Sequence, residues 1–218
     1  MIINIKNVKL KLALEERSER TLLAIQGFKI EAGQKILING PSGAGKSSLL
    51  HLIAGLLDAS EGSIYWNEKL VSDLSDNERS QTRKKKFAII FQRLNLLDHL
   101  SLKENIFLAL DSSLSSKEKN DRAEEALESV GLKKRADDLA AVMSLGEQQR
   151  LAIARALAQR PEIILADEPT SSLDQKNADI CLQALFKAST SASLVVVSHD
   201  ERIQKNFSRL QSILDWVP

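Results

Sequence analysis

The octapeptide GPSGAGKS, Gly40 to Ser47, satisfies the pattern G-x-x-x-x-G-K-[ST] at every fixed position. Its chemistry is that of an anion cradle. Glycine lets the backbone fold tightly enough for successive N–H groups to converge on phosphate oxygens. Lys46 supplies a point charge for terminal phosphates, and the Ser47 hydroxyl is a hard oxygen ligand of the kind Mg²⁺ takes. Pro41, Ser42, Gly43, Ala44 and Gly45 complete the loop, and Ser48 follows it. A helix starting here turns its positive end to the same anion. Average residue usage gives such a match by chance on the order of once per hundred chains of this length.

A second stretch, PEIILADEP, offers a continuous apolar run, Ile163–Ala166, ending in two adjacent acids. Asp167 at a strand end is placed to bind Mg²⁺, and Glu168 beside it to polarise an attacking water. A third, MSLGE, pairs Ser144 with Glu147 in an S-x-x-E capping box. Ser144 is then the N-cap, Leu145 the first helical residue and Gly146 the second. The free N–H groups of that first turn can also meet a phosphate.

The elements that must position these residues are legible in the apolar spacing. Ile2–Leu10, Leu22–Ile30 and Lys35–Ile38 read as strands, the last running into the glycine-rich loop. Phe87–Phe91, Ile163–Ala166 and Leu194–Val197 are short continuous apolar runs, as expected of strands buried on both faces. Lys46–Leu57 has helical spacing. KEKNDRAEEALESVGL places Ala123, Ala126, Leu127 and Val130 on one helical face, with Gly131 as the C-terminal cap. The segment from about Asn95 to Met143 is therefore expected as a helical insertion in a strand–helix core.

Composition narrows the classes further. Thirty Lys+Arg against 29 Asp+Glu leave a net charge of +1 in 218 residues, which gives no reason to expect nucleic acid as partner. RKKK, Arg83–Lys86, reads as a solvated helix end. The single cysteine, Cys181, shares a helical face with Ala184, Leu185 and Ala188 and reads as core. His51 and His99 read as packing and surface residues, and the isolated Trp66 and Trp216 form no aromatic platform. The N-terminus carries no signal-peptide pattern, and no apolar run approaches the roughly 18–20 residues of a membrane span.

Taken in order, these motifs resemble the ATP-binding subunits of ABC transporters over essentially the whole chain. FQRLNLLDHLSLKENIFLAL, GEQQRLAIARAL and LADEPTSSLD are most similar to the lipoprotein-releasing, macrolide-exporting and cell-division-associated subfamily. The resemblance implies ATP and Mg²⁺ as cofactors. It makes Gln92 of IIFQ a ligand to Mg²⁺ and water, Asp167 a metal ligand, Glu168 the general base and His199 of VVVSHD the residue that meets the γ-phosphate. Ser144, Gly146 and Glu147 match its signature, and Asp174 ends its D-loop, SSLD. The implied fold is α/β: a P-loop core with a mainly parallel sheet, an N-terminal antiparallel β subdomain and an inserted α-helical subdomain. Residues 1–94 and 151–218 would form the ATP-binding core and 95–150 the helical part.

The implied assembly is a head-to-tail homodimer with ATP between the phosphate loop of one copy and the signature of the other. It docks on an integral membrane permease near Gln92, which makes the chain cytoplasmic and peripheral on the inner face of the plasma membrane. Two positions depart from the family. Leu145 stands where it has glycine, and Lys11–Arg20 lacks the aromatic residue that stacks on adenine. The same motifs also fit a soluble ATPase of DNA, translation or cofactor assembly, though without a long heptad insertion or a second cassette. They fit, too, a nucleotide-binding regulatory subunit with little turnover.

Overall fold

The computed structural model describes residues 1–13, 19–171 and 173–218. Its elements in chain order are β1 (Ile3–Ala13), β2 (Glu19–Ile30), β3 (Lys35–Asn39), α1 (Lys46–Ile53), β4 (Glu61–Trp66) and β5 (Lys69–Leu70). After these come α2 (Asp76–Lys86), β6 (Phe87–Ile90), α3 (Leu102–Phe107), α4 (Ser116–Ser129) and α5 (Leu145–Ala158). The chain finishes with β7 (Ile163–Asp167), α6 (Gln175–Ala188), β8 (Ser193–Ser198) and β9 (Arg209–Ser212). An antiparallel sheet has the order β2-β1-β4-β5, and a parallel one the order β6-β7-β8-β3-β9. No helix among the described residues is long and apolar enough to cross a membrane.

The continuous apolar runs become the inner strands of the parallel sheet because both of its faces are covered. Side chains alternate across a strand, so each run divides between two cores. Leu37, Ala88, Ile90, Ile164, Ala166, Leu194 and Val196 face the core shared with α3–α6. Ile36, Ile38, Phe87, Ile163, Leu165, Val195 and Val197 face the core shared with α1 and the antiparallel sheet. In β1 the alternation changes parity. Ile3 and Ile5 are buried, then Val8 and Leu10, and Asn7 between them has φ 50. β2 changes parity opposite it, from Leu23 and Ile25 to Phe28 and Ile30.

Several boundaries differ from the sequence-based expectation. The first helix stops at Ile53, not Leu57, because Gly55 takes φ 59 and Leu56 and Leu57 turn outward. β1 runs on to Ala13, and β4, β5 and β9 lie in stretches with too little apolar patterning to announce a strand. Residue 150 falls inside α5, whose buried face, including Gln149, Leu151 and Ile153, runs on past it. RKKK does end a helix, α2, and Gly131 follows α4 with φ 72.

The parallel register places four carboxyl ends side by side. Ile90 pairs with Ala166, Asp167 with Val197, and Asn39 with Ser198. Loops leaving those ends share one crevice, the usual ligand position in an open parallel sheet. Between β6 and α3 the chain is pinned by Asn105, which is fully buried. Its amide nitrogen donates to the carbonyls of Leu97, Leu100 and Ser101, and its oxygen accepts from Leu97 N–H. Asn105→Ala strands these groups without partners and is expected to cost about 3 kcal/mol, read as a lowered midpoint in urea unfolding.

Candidate functional site

The phosphate loop joins β3 to α1 with an unusual helix start. Gly45, the N-cap, has φ 93 and no side-chain cap, so the first-turn N–H groups of α1 keep no side-chain partner there. Any Cβ at Gly45 would strain that φ and crowd Leu22 and Leu23 at 3.1–3.3 Å. Lys46 is 6 % exposed. Its Nζ donates to the carbonyls of Gly40 (2.8 Å) and Pro41 (3.0 Å), so the ammonium sits within the loop's own curve. Ala44 closes the turn by donating its N–H to Pro41 O.

The two acids lie across the crevice from this loop. Glu168 is 7 % exposed, with Oε1 3.6 Å from Lys46 Nζ. The Ser198 hydroxyl donates to Oε2 at 2.8 Å, His199 N–H donates to the carboxylate, and His199 Nδ1 lies 2.7 Å from Oε1. The imidazole is thus oriented by Glu168, and among the described residues Nε2 has no hydrogen-bond partner. Glu168 itself has φ 47, a left-handed backbone uncommon outside glycine and costing about 1 kcal/mol or more. Its N–H bonded to Val197 O and its carbonyl bonded by Ser171 hold that conformation.

Asp167, 6 % exposed, has a buried Oδ1 with no hydrogen-bond partner. Burial pushes its pKa up, against a lowering contribution from the Ser47 hydroxyl. An orphaned carboxylate oxygen beside a serine hydroxyl is an incomplete set of hard oxygen ligands. Among the described residues no three His, Cys, Asp or Glu side chains converge into a closed metal cage. The arrangement fits Mg²⁺, which takes one or two carboxylates and completes its shell with water and phosphate oxygens.

Lys46, Ser47, Asp167 and Glu168 share one cleft of about 350 Å³ with Ser42, Gly43, Gly45, Ser48 and Gln92, whereas His199 is not in its lining and reaches it through Glu168. Leu12 and Leu22 also line it, and among the described residues no aromatic side chain does. Residues 14–18, the rest of the segment without an aromatic, lie outside the described residues. A larger groove of about 700 Å³ lies among α4 and the C-terminal ends of α5 and α6, with none of this chemistry.

Ser144, Gly146, Glu147 and Asp174 do not line that cleft. They cluster with one another instead, at the N-termini of α5 and α6. Ser144 caps α5 in a full capping box with Glu147, and Asp174 caps α6 through Asn177 N–H. A Cβ on Gly146 would meet Leu173 Cδ2 at 3.3 Å, whereas Leu145 is 56 % exposed. The loop before α6 therefore covers the second signature position and leaves the first open. Ser172 in that loop lies outside the described residues.

A family model described as ABC transporter matches residues 24–171, more than half of the chain. This chain belongs to the ABC transporter ATPase family. The lipoprotein-releasing system ATP-binding protein LolD of Francisella tularensis is 35% identical over 99% of the chain and 94% of its own length. The macrolide export ATP-binding/permease protein MacB of Bdellovibrio bacteriovorus is 38% identical, and the chain spans only 33% of that protein. The ATP-binding cassette MJ0796, solved as a dimer in a post-hydrolysis state bound to ADP and Pi, superposes with TM-score 0.89. It is 34% identical, covering 96% of this chain and 93% of its own.

As an ABC cassette, the chain holds one feature that its motifs did not disclose. Ser198 binds the carboxylate of Glu168 directly, and its only sequence signal is a hydroxyl ending an apolar strand. The signature cap is also braced from behind. Arg135 bonds both Asp138 and Glu147. Ser144 N–H, the Ser144 hydroxyl and then Arg135 hold the Glu147 carboxyl below its ordinary pKa. A depressed carboxylate pKa stabilises above its unfolded value and loses that contribution as pH falls through the folded one. Ser144→Ala should therefore cost about 1 kcal/mol at pH 7. In denaturant titrations at several pH values, the gap to wild type should narrow below about pH 4.3.

Proposed function

We propose that this chain is the ATP-binding and ATP-hydrolysing subunit of an ABC transporter complex of the lipoprotein-releasing or macrolide-exporting type. The observation that carries the reading is the pair of buried acids facing Lys46 and Ser47, one with an orphaned oxygen and the other bonded to His199. Loop N–H groups and Lys46 take the phosphates of ATP, while Leu12 and Leu22 give the base apolar cover in place of an aromatic ring. Ser47, Asp167 and Gln92 would hold Mg²⁺, which would supply positive charge against the phosphates. Glu168 accepts the proton of the attacking water, and His199, oriented by Glu168, turns Nε2 to the γ-phosphate.

The separation of Ser144, Gly146 and Asp174 from the cleft supports a second copy. In a head-to-tail dimer the first turn of α5 meets the partner's ATP, and Asp174 approaches from beside it. The core (1–94 and 151–218) and the helical part (95–150), which α5 joins, then act on each other through that helix and the loop after Gln92. Exposed Leu97 and Leu108 on the helical part are suited to a permease segment, which would hold the subunit at the cytoplasmic face of the membrane. ATP-driven closure would power that partner in export or lipoprotein extraction.

Lys46→Ala should weaken binding of a fluorescent ATP analogue by ~100-fold or more. Glu168→Gln should bind within about threefold of wild type yet lose ~100-fold or more in kcat, because only the transition state needs the base. Normal hydrolysis by the Glu168→Gln protein removes the assignment of the base, and absence of hydrolysis by wild type with its permease removes the reading.

A further inference from the structure

Ser198, the last residue of β8, is 1 % exposed and does not line the cleft, so any effect it has on bound nucleotide runs through its neighbours. Its hydroxyl has two partners. Asp200 N–H donates to Ser198 Oγ at 3.0 Å, and the hydroxyl donates to Glu168 Oε2 at 2.8 Å. An amide N–H can only donate and a carboxylate can only accept, so the one hydroxyl proton is directed at Glu168. Asp200 is itself fixed. Its carboxylate accepts from the Arg202 guanidinium at 2.6–3.0 Å and from the fully buried Thr170 hydroxyl at 3.5 Å. Thr170 belongs to the loop that leaves Glu168, so the turn after β8 is tied to the loop after β7.

The terminal torsion of a glutamate is soft, so a carboxylate held by one oxygen still swings. Here both oxygens are held, Oε1 by His199 Nδ1 at 2.7 Å and Oε2 by Ser198. Among the described residues the other donor to Oε2 is His199 N–H, at 3.4 Å, and that amide also reaches Oε1 at 3.2 Å. Shared between the two oxygens, it does not fix the plane of the group. The His199 side chain is 55 % exposed, whereas Ser198 is buried, which makes the hydroxyl the firm anchor.

We propose that Ser198 is a positioning residue for the base, locking the plane of the Glu168 carboxylate toward the water that attacks the γ-phosphate. The proposal rests on the ATPase reading above. In that step the water's proton passes to Glu168, its oxygen bonds the γ-phosphorus, and the bond to the ADP oxygen breaks. Misplacing such a group by about 1 Å costs on the order of 100-fold in rate. In the complex with its permease, Ser198→Ala should lower kcat ~30-fold while KM for ATP stays within about threefold of wild type. Ser198→Thr, which keeps the hydroxyl, should hold kcat within about threefold of wild type. A second arm needs neither turnover nor nucleotide. In the nucleotide-free protein, with exchange read by NMR, Ser198→Ala should speed exchange of the His199 amide ~10-fold, and in a Glu168→Ala background it should add nothing. An unchanged kcat in Ser198→Ala overturns the proposal, as does a KM that rises in parallel with the loss. A Ser198→Thr protein as slow as Ser198→Ala overturns it too, and so does faster exchange that persists without the Glu168 carboxylate. If wild type fails to hydrolyse ATP, the exchange arm still decides whether Ser198 holds Glu168, and it is the ATPase reading that falls.

Discussion

Lys46, Asp167 and Glu168 place three almost fully buried ionisable side chains on one crevice, and the rest of the molecule is arranged around keeping them together. Such groups are costly to bury unless each finds a partner. Lys46 finds two loop carbonyls and Glu168; Glu168 finds Ser198 and His199. Asp167 keeps one oxygen unpaired, and a cation is the natural partner for it. These contacts come from β3, β7 and β8, three neighbours in one sheet, so a register error of one residue would separate them and turn the apolar runs to the wrong cores.

The two cores serve that register from opposite sides. One joins the sheet to α1 and the antiparallel sheet, fixing the phosphate loop from behind. The other joins it to the helices that carry the signature. A helix belonging to the second core can move relative to the cleft only by disturbing ties to its ends. α5 has such ties at both: Arg155 at the loop after Gln92, and Arg150 and Gly146 at the loop before α6. This geometry also accounts for the contrast at the signature. Gly146 is covered by Leu173, so a side chain there starts in a tight contact, whereas position 145 opens outward and accepts leucine.

Much of the fold was readable from local pattern. The phosphate loop, the buried strands ending in Asp167 and Ser198, and the capping box at Ser144 follow from residue type and spacing, because each is governed by neighbours a few positions away. Elements with weak apolar pattern, β4, β5 and β9, owe their strand form to pairing with distant partners, as Ile3 does with Trp66 and Ile36 with Arg209. The overlong first helix shows the same limit. Leu56 and Leu57 continue an apolar run, but Gly55 meets Trp66 and turns the chain away.

What the sequence determined by itself is the inventory of chemistry: an anion cradle with a lysine, two acids at a strand end, and a helix cap with free N–H groups. Local backbone preference and side-chain charge suffice for that. Only the tertiary structure decided the groupings. It placed Ser198 and His199 on Glu168, and left Ser144 and Asp174 together outside the cleft. It also gave Arg155 to the carbonyls of residues some sixty positions earlier. Contacts of that separation are set by sheet order and helix packing, which no short stretch of sequence encodes.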